Sequence, residues 1–247
     1  MMHMDKGATR MQASVLIAAA GQGRRMGAGR NKLLLPLAGE PVLLHTLRLF
    51  DGIPGIGEIV LVISATDEPA IRPILRQRGT KFPLRLVYGC GERMDSVWQG
   101  LQAVTCPHVL VHDGARPLTP RRLILALLER LNEVDAVIPA LPLKETVKQV
   151  DERGFIIHTP ARDSLRAAQT PQAFKTERLV DAYRRAMAVG GLLFTDEASV
   201  MEWAGYPVAV MPGDEENIKL TVPQDMVLAE WIVKQRRGAD DAHRDRL

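Results

Sequence analysis

Several stretches of this chain place cations, acids and small residues where an anion could be held. The first is AAAGQGRRMGAGRNK, residues 18–32, which follows the apolar run SVLIA. It sets Arg24, Arg25, Arg30 and Lys32 among alanines and glycines. Glycine permits unusual backbone angles and close approach of another molecule. Cations beside such a backbone call for an anionic ligand. The spacing gives only half of a dinucleotide fingerprint, because Gly21-Gln22-Gly23 is followed by Met26 and then Gly27. No Gly-Lys-Ser/Thr of a P-loop occurs. A bare glycine turn with solvated arginines explains the stretch equally well.

Asp113 stands in VHDGARP at the end of an apolar run, with Gly114 and Arg116 directly after. An acid at a strand's carboxyl end can hold a hydroxyl or a metal–phosphate while a nearby arginine holds an anion. The plain alternative is a local Asp113–Arg116 turn contact. In GCGERMDSV two glycines, Gly89 and Gly91, close another strand. Asp95 and Ser96 then begin a helix, with Ser96 capping it or touching a ligand. In TDEASVMEW, Thr195 precedes Asp196 and Glu197 as at a helix N-terminus, where acids suit the dipole. In ENIKLTVPQD, Lys219 falls in a short strand candidate, on the face opposite Ile218 and Leu220. A solvated edge lysine is the alternative there. In ARDSLRAAQTPQAF, Arg162 and Arg166 are spaced for one helical face and Gln169 to Gln172 read as a turn. Residue types alone assign no chemistry to that stretch.

The elements that must position these residues follow from periodicity. Apolar runs at 14–19, 58–64, 84–89, 108–113, 135–140 and 207–211 are nearly unbroken, as in strands covered on both faces. Between them lie the helix candidates PVLLHTLRLF, EPAIRPILRQR, DSVWQGLQAV and PRRLILALLERLNEV. In the last, Leu123, Ile124, Leu127, Leu128 and Leu131 share one face. Such alternation predicts an α/β fold with a mostly parallel sheet and helices on both sides. The segment PLKETVKQVDERGFIIHTP breaks the rhythm, with β-like ETVKQV and GFIIHT around the turn DERG. A projecting hairpin and a homodimer are the expectation; an unpartnered surface hairpin is the alternative.

Composition narrows the function classes. The 247 residues are 46% hydrophobic and 25% charged with a net charge of +3, as in an ordinary globular protein. Aromatic residues are only 4%, so no stacking platform for nucleic acid is expected, and no run of like charge forms a basic arm. Cys90 and Cys106 lack metal-ligand spacing and suggest no disulfide framework, which makes a reducing cytosol the default. No stretch reaches transmembrane length and none reads as a signal peptide. Residues 1–13 and 237–247 are expected to be mobile, with one domain over 14–236 and an arm at about 142–168. His45, His108 and His112 form no zinc or Ser/His/Asp pattern.

Taken in order, AAAGQGRRM with Lys32, GERMDSV, VHDGARP, the arm with HTPARDSL, QTPQAF, TDEAS and NIKLT resemble the 2-C-methyl-D-erythritol 4-phosphate cytidylyltransferases. The resemblance runs from about residue 14 to residue 236. It implies a Rossmann-like nucleotidyltransferase joining CTP to methylerythritol phosphate, with pyrophosphate as second product. Ribitol-phosphate nucleotidyltransferases share the first loop and less of the remainder, and a non-catalytic CTP sensor would keep the loop alone. By this resemblance Arg25 and Lys32 stabilise the transition state, and Arg162 and Lys219 orient methylerythritol phosphate. Asp113, Arg116, Thr170 and Thr195 would bind that substrate. Ala18, Ala19, Ala20, Gly21, Gly89, Gly91 and Ser96 would form the cytidine nucleotide pocket. Mg²⁺ would be held mainly through CTP phosphates, with no dedicated protein metal ligand. Three positions depart from the family's usual pattern: Ala18 stands for a common Pro, Cys90-Gly91 for Gly-Asp, and Arg166 for an aromatic.

Overall fold

A computed structural model of the chain describes residues 12–21, 31–79 and 82–244, with side chains as far as residue 238. β1 (Ala13–Ala18) leads to the short pair β2 (Pro36–Leu37) and β3 (Glu40–Pro41), then α1 (Val42–Arg48). β4 (Ile56–Ile63), α2 (Glu68–Arg78), β5 (Leu84–Tyr88), α3 (Arg93–Leu101), β6 (His108–Asp113), α4 (Arg121–Arg130) and β7 (Ala136–Pro142) follow. The ribbon of β8 (Gln149–Val150) and β9 (Ile156–His158) comes next, then β10 (Arg166–Ala168) and β11 (Gln172–Lys175). α5 (Thr176–Val189), α6 (Glu197–Trp203), β12 (Ala209–Pro212) and α7 (Pro223–Arg244) complete the order.

β1 is central, parallel to β4 on one side and to β6 on the other, and β5 extends the sheet beyond β4. β11 runs antiparallel between β6 and β7, and β12 lies parallel to β7 on its outer edge. β10 continues the antiparallel pairing further along β7. The sheet is therefore mostly parallel, as the alternating pattern predicts. Successive strand residues face opposite ways. Val15 and Ile17 join Leu43, Leu47, Ile124, Leu127 and Ile232 on one face. Leu16 joins Val60, Val62, Val97, Leu101, Tyr183 and Val200 on the other. Both faces of the central strands are thus dry, which explains the unbroken apolar runs at 15–18, 59–63 and 109–111.

Local signals were misread in four places. α3 begins at Arg93 rather than at Asp95, because Glu92 is its cap and Asp95 closes a capping box with it. Asp196, not Thr195, caps α6, accepting from the Ser199 backbone N–H. Lys219 lies in extended chain outside any strand, since residues 217–221 pair with loop atoms instead of a ladder. Arg162 and Arg166 share no helix: a short 3-10 turn, Arg162–Ser164, is followed at once by β10.

The expected hairpin forms. β8 and β9 pair antiparallel, Gln149 with His158 and Val150 with Ile156. Asp151 organises the turn, its side chain accepting from the Phe155 N–H at 2.8 Å and the Arg153 N–H at 3.0 Å. Almost every residue from 143 to 168 is exposed or half-buried, including Val150, Phe155, Ile156 and Ile157.

Candidate active site

The carboxyl ends of β1, β4, β5 and β6 reach the same rim of the sheet, where α/β proteins place ligands. A cavity of about 670 Å³ opens there. Its wall holds Ala18 at the end of β1 with Ala19, Ala20 and Gly21 after it, Gly89, Gly91, Arg93 and Ser96 after β5, Asp113 at the end of β6, and Lys32 and Lys219. Ten of the residues singled out from sequence are thus brought together. The volume suits a small-molecule ligand.

Glycine is required where the wall is tight. A Cβ on Gly89 would stand 2.6 Å from Ser96 Oγ and 2.8 Å from Ala20 Cβ. Gly91 has φ of +56° and its Cβ would meet Asp95 Oδ2 at 2.6 Å. These two positions keep the backbone of the loop at the cavity surface. Ser96 donates to the Cys90 carbonyl at 3.2 Å, tying that loop to α3.

Asp113 organises the cations. Its carboxylate meets Lys219 Nζ at 2.7 Å, Arg93 Nη2 at 3.3 Å and Arg116 Nε at 3.8 Å. Burial alone would raise its pKa, yet Arg93, Lys219 and Arg116 outweigh it and hold the carboxyl well below the usual range. Asp113 is therefore an anion that fixes positive side chains, not an acid with a proton to give. Lys32 Nζ donates to the Leu220 carbonyl at 2.7 Å, and Leu220 N–H bonds the Ala115 carbonyl at 2.9 Å. Lys32 and Lys219 are consequently anchored around one short loop although 187 positions separate them in sequence.

Behind Asp113 lies a dry polar chain. The Asp113 backbone N–H donates to Thr170 Oγ1 at 3.0 Å, and Thr170 Oγ1 meets His112 Nδ1 at 3.1 Å. His112 Nε2 meets the Arg116 carbonyl at 3.0 Å. One proton arrangement satisfies all three contacts: Nε2 carries the hydrogen and Nδ1 accepts from the threonine. Burial pushes the His112 pKa down to about 4, which keeps the ring neutral near pH 7. Asn217 adds to this shell. Its side chain donates to the Thr170 carbonyl at 2.9 Å and accepts from Thr119 Oγ1 at 2.7 Å.

The other sequence candidates fall elsewhere. Thr170 and Arg116 are buried behind the cavity, with Arg116 Nη1 on the Asn217 carbonyl at 2.6 Å. Thr195 is exposed and does not line the cavity. Arg162 is exposed on the arm and donates to the Lys144 carbonyl at 3.0 Å. Arg25 lies outside the described residues. Among the described residues no cluster of three or more His, Cys, Asp and Glu side chains could hold a metal ion.

Sequence reasoning missed a buried ion pair. Arg93 Nη1 and Nη2 grip Glu197 at 2.6 and 3.0 Å, and Tyr183 OH donates to Glu197 at 3.2 Å. Burial alone would lower the Arg93 pKa, but Glu197 and Asp113 raise it above its ordinary value. Arg93 is the first residue of α3, where a cation opposes the helix dipole. That anomaly was the available signal.

A glycine-lined rim on a parallel sheet, ringed by amines and guanidinium groups, defines an α/β domain built for nucleotide phosphates. The chain belongs to the 2-C-methyl-D-erythritol 4-phosphate cytidylyltransferase family, whose model matches residues 13–235. A protein of that name from Bacillus licheniformis is 44% identical over 228 residues, spanning 92% of this chain and 98% of its own. Another from Symbiobacterium thermophilum is 43% identical, spanning 95% and 98%. The crystal structure of 4-diphosphocytidyl-2C-methyl-D-erythritol synthase from Anaerococcus prevotii superposes with a TM-score of 0.80 at 32% identity, covering 91% of this chain and 99% of that one.

Proposed function

We propose that this enzyme transfers a cytidylyl group from CTP to 2-C-methyl-D-erythritol 4-phosphate. An oxygen of the alcohol's phosphate attacks the α-phosphorus of CTP. A new P–O bond forms, the bond to the β-phosphate bridging oxygen breaks, and pyrophosphate departs with that electron pair. The observation that carries this reading is the convergence of Lys32 and Lys219 on one rim, each anchored by an acceptor beside the cavity. Charge on the crowded α-phosphoryl group grows during the step, and preorganised cations favour that state over the ground state. Phosphoryl chemistry of this kind needs no protein nucleophile.

Mg²⁺ would enter with CTP and neutralise triphosphate charge, no described cluster of acids being placed to hold it on the protein. Asp113 already bonds Lys219 and Arg93, so its role is to hold those cations in place. The loop from Gly89 to Arg93 receives the cytidine end, its glycine backbone lying at the cavity surface where a side chain would clash with Ser96, Ala20 or Asp95. Arg25 joins Lys32 in charge stabilisation, in keeping with the family resemblance.

Arg162 acts from a second copy of the chain. Its place on the arm, away from the crevice wall, and the exposed Val150, Phe155, Ile156 and Ile157 beside it support a homodimer in which arms clasp. Thr195 joins the alcohol site when substrate is bound. The two unpaired cysteines fit a cytoplasmic setting, and no described helix is long and apolar enough to cross a membrane.

Pyrophosphate release from purified protein, CTP and Mg²⁺ tests the reading. Release is expected with methylerythritol phosphate and far less with ribitol 5-phosphate or other nucleotides. Preference for ribitol 5-phosphate would reassign the alcohol, and CTP binding without release would make the protein a sensor.

A further inference from the structure

A second cavity, of about 520 Å³, lies away from the crevice and is lined by Arg48, Arg121, Arg122 and Arg236 with only Asp51 and Glu216 as acids. Four guanidinium groups from three separate segments converge on it. Each has an imperfect or replaceable partner. Among the described residues, Arg121 bonds the backbone carbonyls of Gly52 at 2.6 Å and Asp51 at 3.5 Å. Arg48 pairs with Glu40 and Arg122 with Asp214, both at exposed positions. Arg236 donates to Glu216 at 2.7 and 2.9 Å and to the Leu118 carbonyl at 2.8 Å. Arg121 and Arg122 also open α4, a ten-residue helix whose first turn has no acid and whose cap, Pro120, offers no side-chain acceptor. Two cations at a helix N-terminus are unfavourable for the helix unless an anion offsets them.

We propose that this cavity binds a phosphate or diphosphate group and that its occupancy reaches Lys219. The volume exceeds one phosphate and accommodates a phosphorylated small molecule. Guanidinium forks match phosphate oxygens in pairs. The link to the crevice is the loop 213–221. Its acids Asp214 and Glu216 are held by Arg122 and Arg236 of the second cavity. Three residues after Glu216, Lys219 meets Asp113, and Leu220 receives Lys32. Between them, the Asn217 carbonyl accepts from Arg116. An anion that draws Arg122 and Arg236 away releases Asp214 and Glu216. The loop then loses its outer anchors, and Lys219 its fixed position. Bound phosphate therefore lowers turnover.

The test compares wild type with a double variant, Arg48→Ala with Arg121→Ala. Among the described residues, no hydrogen bond or ion pair joins Arg48 or Arg121 to the loop or the crevice, so both proteins keep the same catalytic machinery. Calorimetric titrations use inorganic phosphate in one arm and glycerol 3-phosphate in the other, which separates a free anion from an organic ester. Losing two charge-assisted contacts should weaken binding in the second cavity by roughly tenfold or more. Phosphate should also lower wild-type kcat at saturating CTP and alcohol phosphate, with a much smaller effect in the double variant. Competition at the crevice would raise KM instead and would act alike on both proteins. The paired lysine variant, Arg48→Lys with Arg121→Lys, should recover part of the binding, which separates charge loss from misfolding. Identical isotherms for wild type and the alanine variant overturn the site. Binding lost without any change in the kcat response overturns its link to Lys219. The binding arm stands apart from the proposed transfer reaction; the kcat arm rests on it.

Discussion

The crevice and the arm treat their charged residues in opposite ways. In the crevice, Asp113 is buried, Lys219 and Arg93 are tied to it from distant segments, and Arg116 approaches it from the turn just after β6. On the arm, Arg162 is exposed and its described partner is a backbone carbonyl. A charge removed from water needs partners, and the partners fix its position. A charge left in water is free to be claimed by another molecule. The crevice is thus preorganised within one chain, whereas the Arg162 guanidinium stays in water, held by one described contact.

The contrast yields an ordered set of expectations. Lys32→Ala should lower kcat by roughly 10²–10³-fold, the scale for losing one preorganised donor, as read by steady-state kinetics. Unchanged turnover would separate Lys32 from the chemistry. Glu197→Gln leaves Arg93 partly buried with half its partner charge gone, and should cost about 3 kcal/mol in urea denaturation. A loss below about 0.5 kcal/mol would mean that Arg93 repacks freely toward Asp113.

His112 gives a pH signature. Its folded value, about 4, lies below the unfolded value near 6.5, so the unfolded chain binds the extra proton between those limits. Stability from this group is full above the unfolded value and falls as pH drops through the window. The loss should be on the order of 2 kcal/mol by pH 4.5, and His112→Gln should flatten it. An equal slope in both proteins would assign the acid sensitivity to carboxylates alone. The smallest energetic effect falls on the arm. Arg162→Ala should leave stability within about 0.5 kcal/mol of wild type, yet lower kcat/KM for the alcohol phosphate by roughly tenfold. CTP affinity should not change. Lost CTP affinity would put Arg162 in the wrong subsite.

Much of the crevice was legible because the sheet orders it. Strand ends are readable from apolar runs, and Ala18, Gly89 and Asp113 all fall at such ends. Contacts across long sequence separations were not legible. Nothing in GERMDSV or TDEASVMEW says that Arg93 and Glu197 meet, because they stand 104 positions apart in sequence. Thr170 and Arg116 are substrate contacts by the family resemblance; what the sequence did not show is that the segment before β11 and the turn after β6 bury them, where they also hold backbone. The role of Lys219 came from the family resemblance and not from its local pattern: the predicted strand is absent, and Asp113, not a ladder, aims the amine.

The convergence on one phosphorus is tested most directly by single-turnover release of pyrophosphate in Lys219→Ala, with Mg²⁺–CTP and methylerythritol phosphate both saturating. The expected rate is roughly 10²–10³-fold below wild type, with CTP still bound. A rate near wild type would show that the amine beside Asp113 plays no part in the transfer.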